Sequence, residues 1–321
     1  MIRNKLKLLF FSLFVLTASM GFSQGLNAEW DSLDQQAWSL CENGKYSQAI
    51  AIRKKVLEIA EKNNSTDHKY VAISLNNLAL AYKDQEQYVL AESLLKQALT
   101  INEKASNPNP HSLAIVLNNL AAVYQCQKKY ALAEPLYKHE IAIMEKALGP
   151  NHPDVANCLI SLAGLYKSQG CFALAEPLYQ HALTIQEKAL GPKHSDVISS
   201  LNTLAFFYQT QKHYAQAEAL YKRALDIQEK VHEPEQFPIS TTLSNLAGLY
   251  ESQGQYSKAE SIFKRALIID EKIYGPDHPI VVEDLGNLAE LYDSHGRHAS
   301  AKTLFARAKT INDKAFSQDN P

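Results

Sequence analysis

Between His68 and Pro110 the apolar positions Val71, Leu75, Leu78, Ala79 and Tyr82 recur at three- and four-residue steps. That spacing is the stripe of an amphipathic helix. A polar stretch from Asp84 to Gln87 interrupts it, and a second stripe follows at Ala91, Leu94, Leu95, Ala98, Leu99 and Ile101. The segment predicts two antiparallel helices joined by a short turn. Matching turns carry glycine at Gly44, Gly170, Gly254 and Gly296. The whole order then returns along the chain: Leu-x-x-Leu-Ala-x-x-Tyr, then Ala-Glu or its equivalent, then a bulky residue four places past that alanine. The alanine falls at Ala49, Ala91, Ala133, Ala175, Ala217, Ala259 and Ala301, every step being 42 residues without insertion or deletion. A constant period of this size predicts stacked supersecondary units, each touching its neighbours, and not a globule around one enclosed site.

Two columns explain how such units pack. Ala79 and Ala91 lie where the paired helices must cross closely, which requires a small side chain. Leu95, Tyr137, Tyr179, Tyr221, Phe263 and Phe305 form a bulky column that fills the space between successive units. The loops between units repeat too, as Gly149-Pro-Asn-His-Pro153, Gly191-Pro-Lys-His-Ser195 and Gly275-Pro-Asp-His-Pro279. Glycine after a helix permits a left-handed cap, and Pro153 or Pro279 suits the first turn of the next helix. Asp154 and Asp196 then sit near a helix start, where the dipole favours an acid. The stretch Glu233 to Pro238 lacks both the glycine and the histidine, so local irregularity is expected there. Glu140 interrupts a column of alanines (Ala98, Ala182, Ala224, Ala266, Ala308). Its carboxylate must reach solvent or find a partner, Lys138 and His139 being the nearest candidates; an irregularity of packing is the simpler account.

The leucine, alanine and tyrosine offsets resemble the tetratricopeptide signature. Leu-Asn-Asn-Leu-Ala occurs at 75–79 and 117–121, and Glu-Lys-Ala-Leu-Gly-Pro at 145–150 and 187–192. With these the chain is similar to the kinesin-light-chain type of tetratricopeptide array, over roughly residues 29–315. Its period exceeds the common form of about 34 residues by about two helical turns. The resemblance implies an all-α, right-handed superhelical solenoid of about seven helix-turn-helix repeats. The first helices would line a concave groove and the second helices an outer wall. A role beside a motor does not follow for an exported chain.

On the first helices, Asn77, Asn119, Ser161, Thr203, Asn245 and Asn287 form a column expected to point into that groove. Beside it run Asn76, Asn118, Ile160, Asn202, Ser244 and Gly286. A ladder of amides, with donors and acceptors both, can pair with the backbone of an extended peptide without reading its sequence. In the family resembled, the asparagine column holds peptide ligands. The other reading is that some of these amides bind neighbouring helix ends, and both roles are expected together. One turn on lie Lys83, Gln125, Lys167, Gln209, Glu251 and Asp293, passing from basic or neutral to acidic. A peptide of mixed polarity fits this series better than an acidic one, with its acidic end toward Lys83 and Lys167.

Charge adds exclusions. The chain has 32 basic and 34 acidic residues and no basic stripe, so nucleic acid is not an expected partner. Cys41, Cys126, Cys158 and Cys171 show neither CxxC nor zinc spacing; small buried thiols are expected, with a Cys126–Cys171 bridge as the alternative in an oxidising compartment. His68, His152, His194 and His278 share one loop column but stand a full repeat apart, so they read as structural and not as a metal ladder. Asp270 and Glu271 are adjacent on a helix and diverge. With no HExxH, GxSxG, phosphate loop or calcium loop, neither catalysis nor a cofactor or metal is expected.

The first residues stand apart from the array. Arg3, Lys5 and Lys7 precede the apolar run Leu8 to Met20, and small residues follow at Gly21 and Ser23. This is the order of a secretory signal peptide over residues 1–23, followed by the array over 24–317 and a tail at 318–321. The expected protein is periplasmic or secreted, with no membrane span after signal removal. Its expected role is an interaction scaffold for a peptide or protein segment. The rivals are an assembly subunit that associates through its ends, including self-association through Ala301, Leu304 and Phe305 of the last repeat, and an enzyme with an unrecognised site.

Overall fold

A computed structural model describes residues 28–63, 68–230 and 239–318. The proposed signal peptide and the 233–238 junction lie outside the described residues. Fourteen α-helices and no strand are found among the described residues. In chain order they are α1 (Ala28–Glu42), α2 (Tyr46–Lys62), α3 (Lys69–Asp84), α4 (Tyr88–Lys104), α5 (Pro110–Cys126), α6 (Tyr130–Leu148) and α7 (Pro153–Ser168). There follow α8 (Phe172–Leu190), α9 (Ser195–Thr210), α10 (Tyr214–Lys230), α11 (Ile239–Ser252), α12 (Tyr256–Tyr274), α13 (Val281–Ser294) and α14 (His298–Gln318). Odd-numbered helices are the first of each pair, and packing is chiefly between sequence neighbours, as of α3 with α4 and of α12 with α13. These are the paired helices that the 42-residue period predicts.

Local chemistry sets the ends of these helices. Each first helix ends in a 6→1 backbone bond, such as Gln87 N–H to Tyr82 O (2.8 Å), Lys129 to Tyr124 (2.8 Å) and Gln255 to Tyr250 (2.8 Å). That bond is half of a Schellman cap and requires a left-handed residue before the donor. The residue is Gly44, Glu86, Lys128, Gly170, Lys212, Gly254 or Gly296, all at φ between 59° and 77°. Three turns thus hold the strained conformation without glycine. At the starts of α7 and α9, the loop histidines act as caps: Nδ1 of His152 accepts from Asp154 N–H and that of His194 from Asp196 N–H, both at 3.2 Å. Asn109 caps α5 in the same place, accepting from His111 and Ser112. His278 accepts likewise from Ile280 N–H at 3.3 Å, whereas His68 makes no side-chain cap bond.

The chain divides into two compact units, Met1–Ile185 and Gln186–Pro321. In the first, Ala79, Ala91, Ala121, Ala133, Ala163 and Ala175 have no exposed surface, so the crossings are as close as the small-residue columns predict. Leu95, Tyr137 and Tyr179 fill the gaps between pairs, and Val155, Leu159, Ala182 and Ile185 pack with Ala114 and Met144 into one cluster. In the second unit Ala205, Ala217, Ala247, Ala259 and Ala289 repeat the crossings, with Tyr221 and Phe263 as the fillers. Phe305 departs from its column: it is 42% exposed where the others are at most 5%. Ala301, expected to be open with it, is buried, and Leu304 is half-buried. The four cysteines are free, so the Cys126–Cys171 alternative does not stand; Cys126 is exposed and only Cys158 is fully buried.

Candidate functional site

The two asparagine columns, one residue apart, occupy different depths because one residue is about 100° around a helix. The column at Asn77, Asn119, Ser161, Thr203, Asn245 and Asn287 is half-buried throughout. Asn76, Asn118 and Asn202 of the second column are buried, with 6–7% exposure. Their amides bond inside the stack, though Asn202 Oδ1 is buried without a partner. Asn76 Oδ1 accepts from Asn119 Nδ2 at 2.8 Å. Asn118 donates to Ser161 Oγ at 3.0 Å, and Asn202 donates to Thr242 Oγ1 at 3.0 Å. These bonds tie α3 to α5, α5 to α7 and α9 to α11. Asn76, Asn118 and Asn202, expected among the ligand residues, thus bond within the stack, and the half-buried amides belong to the neighbouring column.

Within that half-buried column the members differ. Asn77 donates to Asp34 Oδ1 at 3.3 Å, and the same oxygen receives Arg53 at 2.8 Å. Asn119 is joined to Asn76 as described. Asn245 and Asn287, in the second unit, make no side-chain hydrogen bond among the described residues. A half-exposed amide without an internal partner retains two donors and an acceptor for a ligand.

One turn on, the glutamines are also partly committed. Gln125 donates to Ser168 Oγ at 2.9 Å and accepts from the Tyr137 hydroxyl at 3.2 Å. Gln209 repeats both bonds, donating to Ser252 Oγ and accepting from Tyr221, at 3.3 and 3.2 Å. Lys83 lies 3.5 Å from Asp84. Burial lowers the Lys167 ammonium below the usual lysine value and raises the Glu251 carboxyl above its own. Sequence reasoning missed the column one turn earlier, Ile73, Ile115, Asn157, Ser199, Thr241 and Glu283, which is half-buried or exposed. Its signal was present in the same 42-residue step. In the first unit the first-helix face therefore offers aliphatic side chains beside amides and lysines; in the second it offers amides beside Glu251, Glu283 and Glu290.

Glu140 resolves differently from expectation. It is 1% exposed and bound by Asn118 Nδ2 at 3.2 and 3.0 Å, with the Cys158 thiol also against it. Lys138 instead pairs with Glu134, and His139 is exposed. Desolvation pushes the Glu140 carboxyl up to about 7, despite the opposing pull of those two donors.

A family model described as tetratricopeptide repeat matches residues 33–104, 112–170, 161–230 and 238–314. No curated protein matches the chain at a significant level. Among solved structures, BtubC (BKLC) from P. vanneervenii is 25% identical with a TM-score of 0.61, over 72% of this chain and 92% of that one. A kinesin light chain protein of Podosopora anserina with nearly identical TPR-like repeats is 26% identical with a TM-score of 0.52, over 65% and 99%. A Rap protein complexed with Competence and Sporulation Factor shares the fold at 17% identity and a TM-score of 0.55, over 89% and 77%.

Proposed function

Since the chain belongs to the tetratricopeptide repeat family, we propose that it is an exported scaffold that holds an extended peptide or protein segment along its first-helix face. One observation carries this reading: Asn245 and Asn287 repeat at the 42-residue step, half-exposed, without internal partners among the described residues. Amides one helix-pair layer apart, about 10 Å, can bind peptide groups about three residues apart on an extended strand. In the second unit affinity then comes from backbone pairing at Asn245 and Asn287; the first unit by itself offers apolar contact at Ile73 and Ile115. Weak, screened charge at Lys83 and Glu251 adds little. Among the described residues no helix is long and apolar enough to cross a membrane. Export rests on the order of residues 1–23, basic, then apolar, then small.

Peptides selected from a display library on the chain lacking residues 1–23 test the reading. Changing Asn245 and Asn287 together to alanine lowers affinity about tenfold if each amide contributes about 0.7 kcal/mol net. Unchanged affinity in a folded double variant contradicts it.

Phe305 supports a second reading, an assembly subunit. It is the exposed member of a column whose other members are at most 5% exposed. Under that reading, sedimentation shows concentration-dependent dimers that Phe305→Glu abolishes.

A further inference from the structure

Helices α12 and α13 of the second unit meet at a seam whose positions repeat along the chain. The residue on the second helix is Met144, Gln186, Gln228 or Asp270; the residue on the following first helix is Cys158, Ser200, Thr242 or Asp284. At Met144 and Cys158 the seam is apolar and part of one packed cluster. At Gln186 and Ser200 it is neutral and polar, the Ser200 hydroxyl donating to Gln186 Oε1. At the third step Gln228 and Thr242 are both buried. At the last step both positions are acids. Asp270 is 2% exposed and Asp284 is 4% exposed. The two carboxyl groups face each other across the seam, with the Ser240 hydroxyl of α11 beside Asp270. Asp270 Oδ1 and Asp284 Oδ2 are buried without a hydrogen-bond partner.

Two carboxylates are acceptors only, so two charged ones facing each other in a dry seam repel and satisfy nothing. We propose that Asp270 and Asp284 share one proton in the folded protein, and that this proton latches the helix pair α13–α14 onto α12. With the proton present, one carboxyl donates to the other and the seam resembles the Gln186–Ser200 step. Without it, the seam holds two buried charges.

The surrounding groups favour retention of the proton. Glu271 on α12 and Glu283 on α13 add negative charge, and burial adds desolvation. His278 in the intervening loop opposes them weakly, and its Nδ1 already accepts from Ile280 N–H at 3.3 Å. From α14, Arg307 is engaged by Glu271 and the Pro276 carbonyl. Both Asp270 and Asp284 are accordingly raised above the ordinary aspartate range, chiefly by desolvation. Folding of the last pair therefore takes up a proton. The latch is complete at acid pH and weakens as pH climbs from the unfolded aspartate value through the raised folded one.

Hydrogen exchange of the full chain, corrected for intrinsic rates and read at pH 5, 6 and 7, tests this. Opening of α13 and α14 rises about tenfold per pH unit until the raised pKa is reached, while α3 and α4 do not follow that slope. Asp284→Asn flattens the slope, because an amide donates to Asp270 without needing the proton. Asp284→Thr, the residue already used at position 242, flattens it too should asparagine distort the seam. A difference infrared spectrum at pH 6, wild type minus Asp284→Asn, shows a protonated carboxyl band. A pH-independent α13–α14, a slope kept by both variants, or no such band overturns the proposal.

Discussion

Tyr124, near the end of α5, donates its hydroxyl to Glu92 of the preceding helix pair at 3.2 Å. The same reach of 32 residues recurs from Tyr166 to Glu134 (2.9 Å), Tyr250 to Glu218 (3.0 Å) and Tyr292 to Glu260 (2.8 Å). Each glutamate also holds a lysine four residues on, Lys96, Lys138, Lys222 or Lys264, at 2.7 Å. The tyrosine of the repeated Leu-Ala-x-x-Tyr and the acid of Ala-Glu are thus two halves of one clamp between adjacent units.

Breaking that clamp is expected to cost about 1 kcal/mol per junction, the net value of a part-exposed hydrogen bond. Tyr124→Phe should lower the urea midpoint with little change in slope. Hydrogen bonds from Lys96, Gln127 and Tyr124 hold Glu92 down at about 2, against the opposing effect of burial. Its contribution is present above the ordinary glutamate pKa and is lost as pH falls toward 2. Tyr124→Phe should therefore matter at pH 7 and little in strong acid.

Glu140 predicts the opposite pH response. Its folded pKa of about 7 lies above the ordinary glutamate value of 4.5. Its stabilising contribution is complete below 4.5 and is lost as pH rises through 7. Glu140→Ala restores the residue used elsewhere in the column and should stabilise the chain by about 2 kcal/mol at pH 8, and less at pH 5. Denaturant unfolding at the two pH values checks both magnitude and sign.

The asparagines should separate by role. Asn118→Ala removes the donor that faces Glu140 and Ser161, and should destabilise by about 2 kcal/mol. Asn245→Ala removes no internal bond among the described residues and should change stability by less than about 0.5 kcal/mol. Thermal unfolding of the two variants measures the contrast directly.

Lys128 holds φ at 59° in the turn position where Gly170 and Gly254 stand in other repeats. Relief of left-handed strain at such a position is worth about 1–2 kcal/mol, offset in part by the extra freedom glycine gives the unfolded chain. Lys128→Gly should stabilise the array by about 0.5–1 kcal/mol, read as a higher urea midpoint.

How much was legible follows from which contacts the period fixes. The helix pairs, the alanine crossings and the Tyr137 and Tyr221 fillers were readable, because each is a property of one column. The direction of Asn76 against Asn77 was not, since both columns carry the same residue type and only the packing angle decides which is covered. Glu140 stood out as an oddity in its column, yet its partner Asn118 is 22 residues away on the paired helix. Asp270 and Glu271 diverge on their helix as their adjacency implies, but the acid that meets Asp270 is Asp284, across the loop on the next helix. The loop histidines read as structural, but their capping bonds required backbone geometry.

Photo-cross-linking from single positions to a selected peptide tests the central claim most directly. Probes at Thr241 and Glu283, on the first helices beside Asn245 and Asn287, should capture the peptide. Probes at the exposed Lys264 and Lys302, on second helices, should not. Capture from the second helices with none from the first would contradict the account.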